Sequence, residues 1–144
     1  MNICGFFGKY RWLSNFWLCT IVVRWKGEVL RFTCVEEGFQ SCKSDSLETR
    51  KRFQGVGPLR AKRMGKEIRL REDWSDVKLQ VMEFFVRQKF LQNPDLRRKL
   101  INTGSAYLEE TNQWGDTFWG VSRGVGQNHL GKILMKIRKE MVDE

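Results

Sequence analysis

Proline is scarce in this 144-residue chain: Pro58 and Pro94 are the only two, against thirteen glycines. A Pro-rich linker or recognition segment is excluded. Histidine is reduced to His129, which excludes any mechanism needing two imidazoles. No apolar run approaches the roughly 20 residues that a membrane-spanning helix requires. Met1 to Gly5 shows no basic stretch followed by an apolar one, so an intracellular, cytoplasmic protein is expected. The four cysteines, Cys4, Cys19, Cys34 and Cys42, form no Cys-x-x-Cys pair. Neither a zinc site nor a disulfide framework is expected from that spacing; reduced core thiols are.

Acid is short as well. Asp and Glu number 17 against 26 Lys and Arg, for a net charge of +9. The excess is local. Residues 50–71, RKRFQGVGPLRAKRMGKEIRLR, carry nine basic side chains and one acid, Glu67, and so hold +8 of that +9. A field this concentrated predicts a polyanionic partner: nucleic acid, a nucleotide pyrophosphate or a phosphosugar. Arg50, Lys51, Arg52, Arg60, Lys62, Arg63 and Lys66 are the candidate nucleic-acid contacts. A solvated helix face is the competing explanation.

What the chain does have is apolar and aromatic mass, 41% and 12% of residues. That suits one sizeable core and a single domain over 1–144. Leu18 to Trp25 and Val29 to Phe32, separated by Lys26-Gly27-Glu28, predict an antiparallel hairpin. Thr33-x-x-Glu36 has the form of a capping box, predicting a helix to about Lys43. Further helices are expected over 46–53, 58–68, 75–92 and 95–104, then a short strand at 107–110. In the long helix Leu79, Met82, Val86 and Phe90 are expected to line the core. Asn128 is expected to cap a last helix carrying Leu130, Ile133, Leu134, Ile137 and Met141. The expected class is α+β, predominantly helical, with a small N-terminal antiparallel hairpin or sheet.

Three places break the pattern of core plus surface. Ser14-Asn15-Phe16 sets polar residues inside an aromatic run; this is either a turn or an amide for a base or sugar. In Glu36 to Lys43, helical spacing puts Glu36, Gln40 and Lys43 on one face. That stripe reads first as a cap with solvated neighbours, and second as a surround for a polar ligand. Residues 113–128 form a long loop with Trp114, Asp116, Trp119, Arg123 and four glycines before a helix start. Loops of this length are commonly functional, glycines allow backbone N–H groups to approach an anion, and tryptophans stack on bases.

In this order the three places resemble the NADAR (YbiA-like) superfamily of N-glycosidases. The resemblance is carried by Ser14-Asn15-Phe16, by Glu36, Phe39, Gln40 and Lys43, and by Ala61 to Gly65. It continues through Leu70-Arg71, Trp74, Val77-Lys78, Val81-Met82, Lys89-Phe90 and Leu100 to Gly104. Asp116, Trp119-Gly120, Gly124, Gly126, Asn128, Leu130-Gly131 and Leu134-Met135 complete it. It spans nearly the whole chain. Glu37-Gly38, where the family often has His-Tyr, and Val121-Ser122-Arg123 depart from it, and both are expected to touch the substrate pocket.

The resemblance implies cleavage of an N-glycosidic bond, either in ADP-ribosyl-guanine, including guanine in DNA, or in phosphorylated riboflavin-pathway intermediates. Glu36 and Asp116 become the candidate catalytic carboxylates, for charge on the sugar or for a proton. Lys43 is either a phosphate ligand or a Schiff-base amine. Asn15, Phe16, Phe39, Gln40, Arg71, Trp74, Trp119, Gly120, Gly124, Gly126 and Asn128 are the candidate substrate contacts. Phe39 and Trp119 are expected to stack, Gly124 and Gly126 to cradle phosphate with Arg71 as charged partner. No metal or other cofactor is implied. The extended basic strip favours ADP-ribose-bearing DNA as partner over a small metabolite. A catalytically silent module that binds ADP-ribose or nucleic acid is the reading from another class.

Overall fold

The computed structural model describes all 144 residues. They form two compact units, 15–93 and 1–14 with 94–144. No helix is long and apolar enough to cross a membrane.

Unit 15–93 opens with the antiparallel hairpin, β2 (Ile21–Trp25) and β3 (Glu28–Phe32), in a register that pairs Ile21 with Phe32 and Trp25 with Glu28. Lys26 and Gly27 take positive φ, as a two-residue hairpin turn requires. Four helices follow: α1 (Val35–Ser41), α2 (Leu47–Lys51), α3 (Pro58–Glu67) and α4 (Trp74–Gln92). Helix α1 packs on α3 and α4, and α4 covers β2. Gln92 ties that last contact, accepting from Val22 N at 2.7 Å and donating to Val22 O at 2.9 Å. The core joins Ile21, Leu30, Phe32, Val35, Phe39, Phe53, Ala61, Trp74, Met82, Phe85, Val86 and Phe90.

In α4 the buried stripe differs from the expected one. Met82, Phe85, Val86, Lys89 and Phe90 face inward, while Leu79 and Phe84 are exposed. A lysine lies on the core stripe, where an apolar pattern alone would not put one. Burial brings the Lys89 ammonium down to about 8.

Unit 1–14 with 94–144 pairs β1 (Asn2–Cys4) in parallel with β4 (Tyr107–Glu109), and β5 (Thr111–Asn112) in parallel with β6 (Val121–Ser122). A 3-10 turn covers Gly8–Leu13. Helices α5 (Pro94–Asn102) and α6 (His129–Val142) pack on each other, and α6 lies on β4. Leu130, Ile133, Leu134, Ile137 and Met141 are all buried, as their spacing predicted. All four cysteines are free thiols. The class is the expected one, α+β with small sheets.

The α1 cap is where the expectation and the structure part. Helix α1 ends at Ser41, short of Lys43; its N-cap is Cys34 with no side-chain cap, and the carboxylate that ties down the preceding Thr33 is Glu37, not Glu36. Glu37 is 0% exposed. Its Oε1 accepts from Thr33 N at 2.8 Å and Gly55 N at 3.1 Å; its Oε2 accepts from Thr33 Oγ1 at 2.5 Å and Gly57 N at 2.8 Å. Four donors satisfy a carboxylate that burial would otherwise penalise heavily. Gly57 is also the residue before α3, so one side chain fixes both the start of α1 and the start of α3.

Glu37→Gln turns an amide NH2 toward donors. Urea unfolding should then show a loss of about 3 kcal/mol, since bonds to a charged acceptor contribute about 1.5–3 kcal/mol each. A loss below about 1 kcal/mol would show that the carboxylate does not organise the α1–α3 junction.

Candidate active site

With Glu37 holding Thr33, Glu36 is left on the adjacent face. It is 7% exposed, and Gln40 Nε2 donates to its Oε1 at 2.8 Å. Its backbone N–H donates to Asn15 O at 3.2 Å, so the Ser14-Asn15-Phe16 segment anchors the first turn of α1. The Asn15 side chain is engaged too, Nδ2 lying 3.4 Å from Met82 Sδ.

Gln40 is 6% exposed, and its Oε1 is a buried acceptor without a hydrogen-bond partner. That oxygen rests against Gly65 of α3. A Cβ at Gly65 would fall 1.8 Å from Gln40 Oε1, which only glycine avoids. Ala61 and Gly65, one turn apart and both buried, form the face of α3 that meets α1. The close approach brings Lys62 and Lys66 to the same end of the stripe as Lys43.

Lys43 lies just past α1, half-buried, with its N–H on Gln40 O at 3.1 Å. Burial lowers its pKa from the ordinary lysine value, the charges of Lys66 and Lys62 lower it further, and Glu36 opposes them. The predicted stripe of carboxylate, amide and ammonium therefore exists, with two more cations beside it. From the sequence Lys62 and Lys66 belong only to the basic strip. The helix i, i+4 spacing and the small residues Ala61 and Gly65 were the signal that this face of α3 packs against α1.

Other expected contacts are placed differently. Phe39 and Trp74 are core residues packed on one another, ring centroids 5.1 Å apart, rather than open stacking platforms. Arg71 donates bidentately to Asp73 at 2.6 and 3.0 Å and reaches Cys42 O and Asp45, so its guanidinium is neutralised within the protein. It lines a cleft of about 1010 Å³ between the 44–53 and 64–73 segments, shared with Arg52, Glu67, Arg69 and Glu72. Phe16 is half-buried. Glu37 and Gly38 pack inward: Glu37 is buried in its four bonds, and a Cβ at Gly38 would meet the Phe85 ring at 2.4 Å.

The basic strip is thinner than its sequence. Arg50 is 5% exposed, its Nε donating to Ser44 O and its guanidinium stacked 3.5 Å over the Trp25 ring, and it leaves the candidate surface. Lys51 pairs with Glu28 and Glu48. Arg52, Arg60, Lys62, Arg63 and Lys66 stay exposed, the last four on α3.

In the other unit, the 113–128 loop is built by its own polar groups. Asp116 Oδ1 accepts from Phe118 N and Trp119 N at 3.1 and 2.9 Å, and Asn112 brackets the same residue through N and O. Trp119 is half-buried against Phe118, at 4.8 Å. The amides of residues 127–130 donate to the carbonyls of Thr117, Gly120, Phe118 and Trp119, so the start of α6 is no open phosphate cradle. A Cβ at Gly126 would meet Gly120 O at 2.1 Å and one at Gly120 would meet Glu110 O at 2.0 Å; close backbone packing is the reason for both glycines. Gly124 takes positive φ in the tight turn where Ser122 and Val125 bridge. Asn128 holds the N-cap position, but its side chain bonds no helix N–H. It accepts from Glu110 N and donates to Leu108 O and Tyr107 Oη, stitching β4 to α6.

The NADAR domain, compared as a family, matches residues 6–142. This chain belongs to the NADAR domain family. It is 37% identical over 113 residues to the N-glycosidase YbiA of Escherichia coli, an alignment covering 76% of this chain and 70% of that protein. It is 35% identical to a riboflavin biosynthesis protein of Vibrio vulnificus, over 92% of this chain and 36% of the relative. An N-glycosidase of Nostoc punctiforme is 47% identical over half of this chain and 46% of its own length. The chain thus spans less than half the length of the last two. The NMR structure of E. coli YbiA superposes with a TM-score of 0.84 at 33% identity, covering 99% of this NADAR chain and 84% of YbiA.

The Gly65 contact is testable by stability alone. Gly65→Ala should cost about 1–3 kcal/mol in urea unfolding, the usual penalty of overpacking. Shortening the opposing side chain in Gly65→Ala/Gln40→Ala should recover most of it. A neutral Gly65→Ala would mean that α3 does not press on Gln40.

Proposed function

We propose that this NADAR chain is an N-glycosidase that removes ADP-ribose from guanine bases in DNA. One observation supports the chemistry above all. A nearly buried carboxylate, Glu36, is oriented by Gln40 and coupled to Lys43, whose pKa is lowered by burial and by two neighbouring cations.

Cleavage of the ribose C1–N bond sends its electron pair to the leaving base and leaves positive charge on the sugar. An oriented carboxylate stabilises that charge and directs the water that replaces the base at C1. The hydrogen bond from Gln40 fixes where the Glu36 carboxylate stands before the reaction begins. A lysine whose pKa is lowered suits addition to the C1 aldehyde of an opened sugar, with loss of water to an imine, while the cluster with Lys62 and Lys66 suits a phosphate. Asp116 is the candidate carboxylate of the other unit, through Oδ2, since Oδ1 is committed to its loop.

The DNA part rests on the exposed α3 cations Arg60, Lys62, Arg63 and Lys66, more positive charge than a single phosphate calls for. A second reading is favoured by the names of relatives: an N-glycosidase acting on phosphorylated riboflavin-pathway intermediates.

Glu36→Gln should lower turnover on the order of 10²-fold while unfolding stability stays within about 1 kcal/mol, because Glu37, not Glu36, ties Thr33 to the α3 segment. Asp116→Asn keeps the loop acceptor and tests the second carboxylate alone. DNA carrying ADP-ribose on guanine should lose ADP-ribose with a steep salt dependence. Reversing Arg60 and Arg63 should flatten it, by roughly 0.7–0.9 in log–log slope per lost phosphate contact. Base release from a phosphoribosylamino-pyrimidine with none from DNA would establish the second reading. Binding without release from either would leave a silent module.

A further inference from the structure

Arg50 belongs to the basic stretch by sequence, yet the structure takes it off the surface. It lies on the wall of a second cleft, of about 320 Å³, in unit 15–93. The floor is apolar and aromatic: Val23, Leu30, Phe32, Val81, Phe84 and Phe85. Phe85 meets Phe32 and Phe84 edge to face, with centroids 5.8 and 5.1 Å apart. Trp25 closes the side and carries the Arg50 guanidinium at 3.5 Å from its ring.

The guanidinium is held but not neutralised at close range. Its Nε is fixed by Ser44 O at 2.8 Å. Neither terminal nitrogen makes a hydrogen bond within the protein, and the nearest carboxylate oxygen, on Asp45, is 3.9 Å from Nη2 and mostly exposed. Of the two other cations on this wall, Arg71 is already satisfied by Asp73 and Arg24 is exposed. The terminal nitrogens open on the cleft edge with no hydrogen-bond partner in the protein, and an anion seated there would complete them. The volume falls at the lower end of the range of small-molecule pockets, and the wall pattern is theirs, mostly apolar with a few placed polar groups. A planar ring suits the aromatic floor, and a carboxylate suits a flat guanidinium fork.

We propose that this cleft is a binding site for a small planar aromatic carboxylate, its ring on the phenylalanine floor and its carboxylate on the terminal nitrogens of Arg50. The proposal does not depend on the roles assigned to Glu36 and Lys43.

Titration calorimetry with 2-naphthoate, and with 2-naphthalenemethanol as the uncharged control, tests it. Naphthoate should bind saturably below millimolar concentration and at least about tenfold more tightly than the alcohol, the value of one charge-assisted pair. Arg50→Gln should weaken naphthoate by about tenfold and leave the alcohol unchanged. Val81→Trp fills the cleft without touching the bonds of Arg50, so it serves even where Arg50→Gln fails to fold. It should abolish binding of both. No saturable binding at millimolar naphthoate, equal affinity for acid and alcohol, or binding that survives Val81→Trp would overturn the proposal.

Discussion

The buried carboxylate of Glu37 is the constraint on which unit 15–93 turns. An ionised group at 0% exposure survives only if its acceptor sites are filled, and here Thr33, Gly55 and Gly57 fill them. Those donors come from the end of the hairpin and from the segment that leads into α3. The side chain therefore does more than hold Thr33. It sets the distance between α1 and α3, and with it how closely Gly65 approaches Gln40.

From that spacing the candidate active site follows. Gln40, pressed by Gly65, has one amide end committed to Glu36 and the other left as an orphaned acceptor. Glu36 is held on two sides, by Gln40 and through its backbone by Asn15. Helix α3 also brings Lys62 and Lys66 near Lys43, so the same packing that orients the carboxylate lowers the amine. Two adjacent glutamates thus divide the work. Glu37 ties the α1 and α3 segments together, while Glu36 is oriented by Gln40.

Much of this was legible in the sequence. The hairpin, the six helices and the inward face of α6 follow from period and turn residues. The stripe of Glu36, Gln40 and Lys43 follows from helical spacing, and the family from its motifs in order. What failed were the long-range assignments. A capping box fits Thr33 with Glu36, but the loop donors that choose Glu37 lie about twenty residues away. Arg50 looks like its basic neighbours until Trp25, from the hairpin, stacks against it. The glycines near α6 suggest an anion cradle, yet the amides there are used by carbonyls of the preceding loop. In each case local residue type was right, and a partner distant in sequence decided its use.

The coupling within the stripe can be read directly from the titration of Lys43. Mass-spectrometric mapping of amine acylation against pH gives a midpoint for each lysine, independent of its absolute rate. Burial and the charges of Lys62 and Lys66 should place the Lys43 midpoint below the ordinary lysine range. Lys62→Gln/Lys66→Gln should move it up, and Glu36→Gln, which removes the opposing carboxylate, should move it further down. A Lys43 midpoint in the ordinary lysine range, unmoved by either change, would contradict the account that these side chains act as one coupled site.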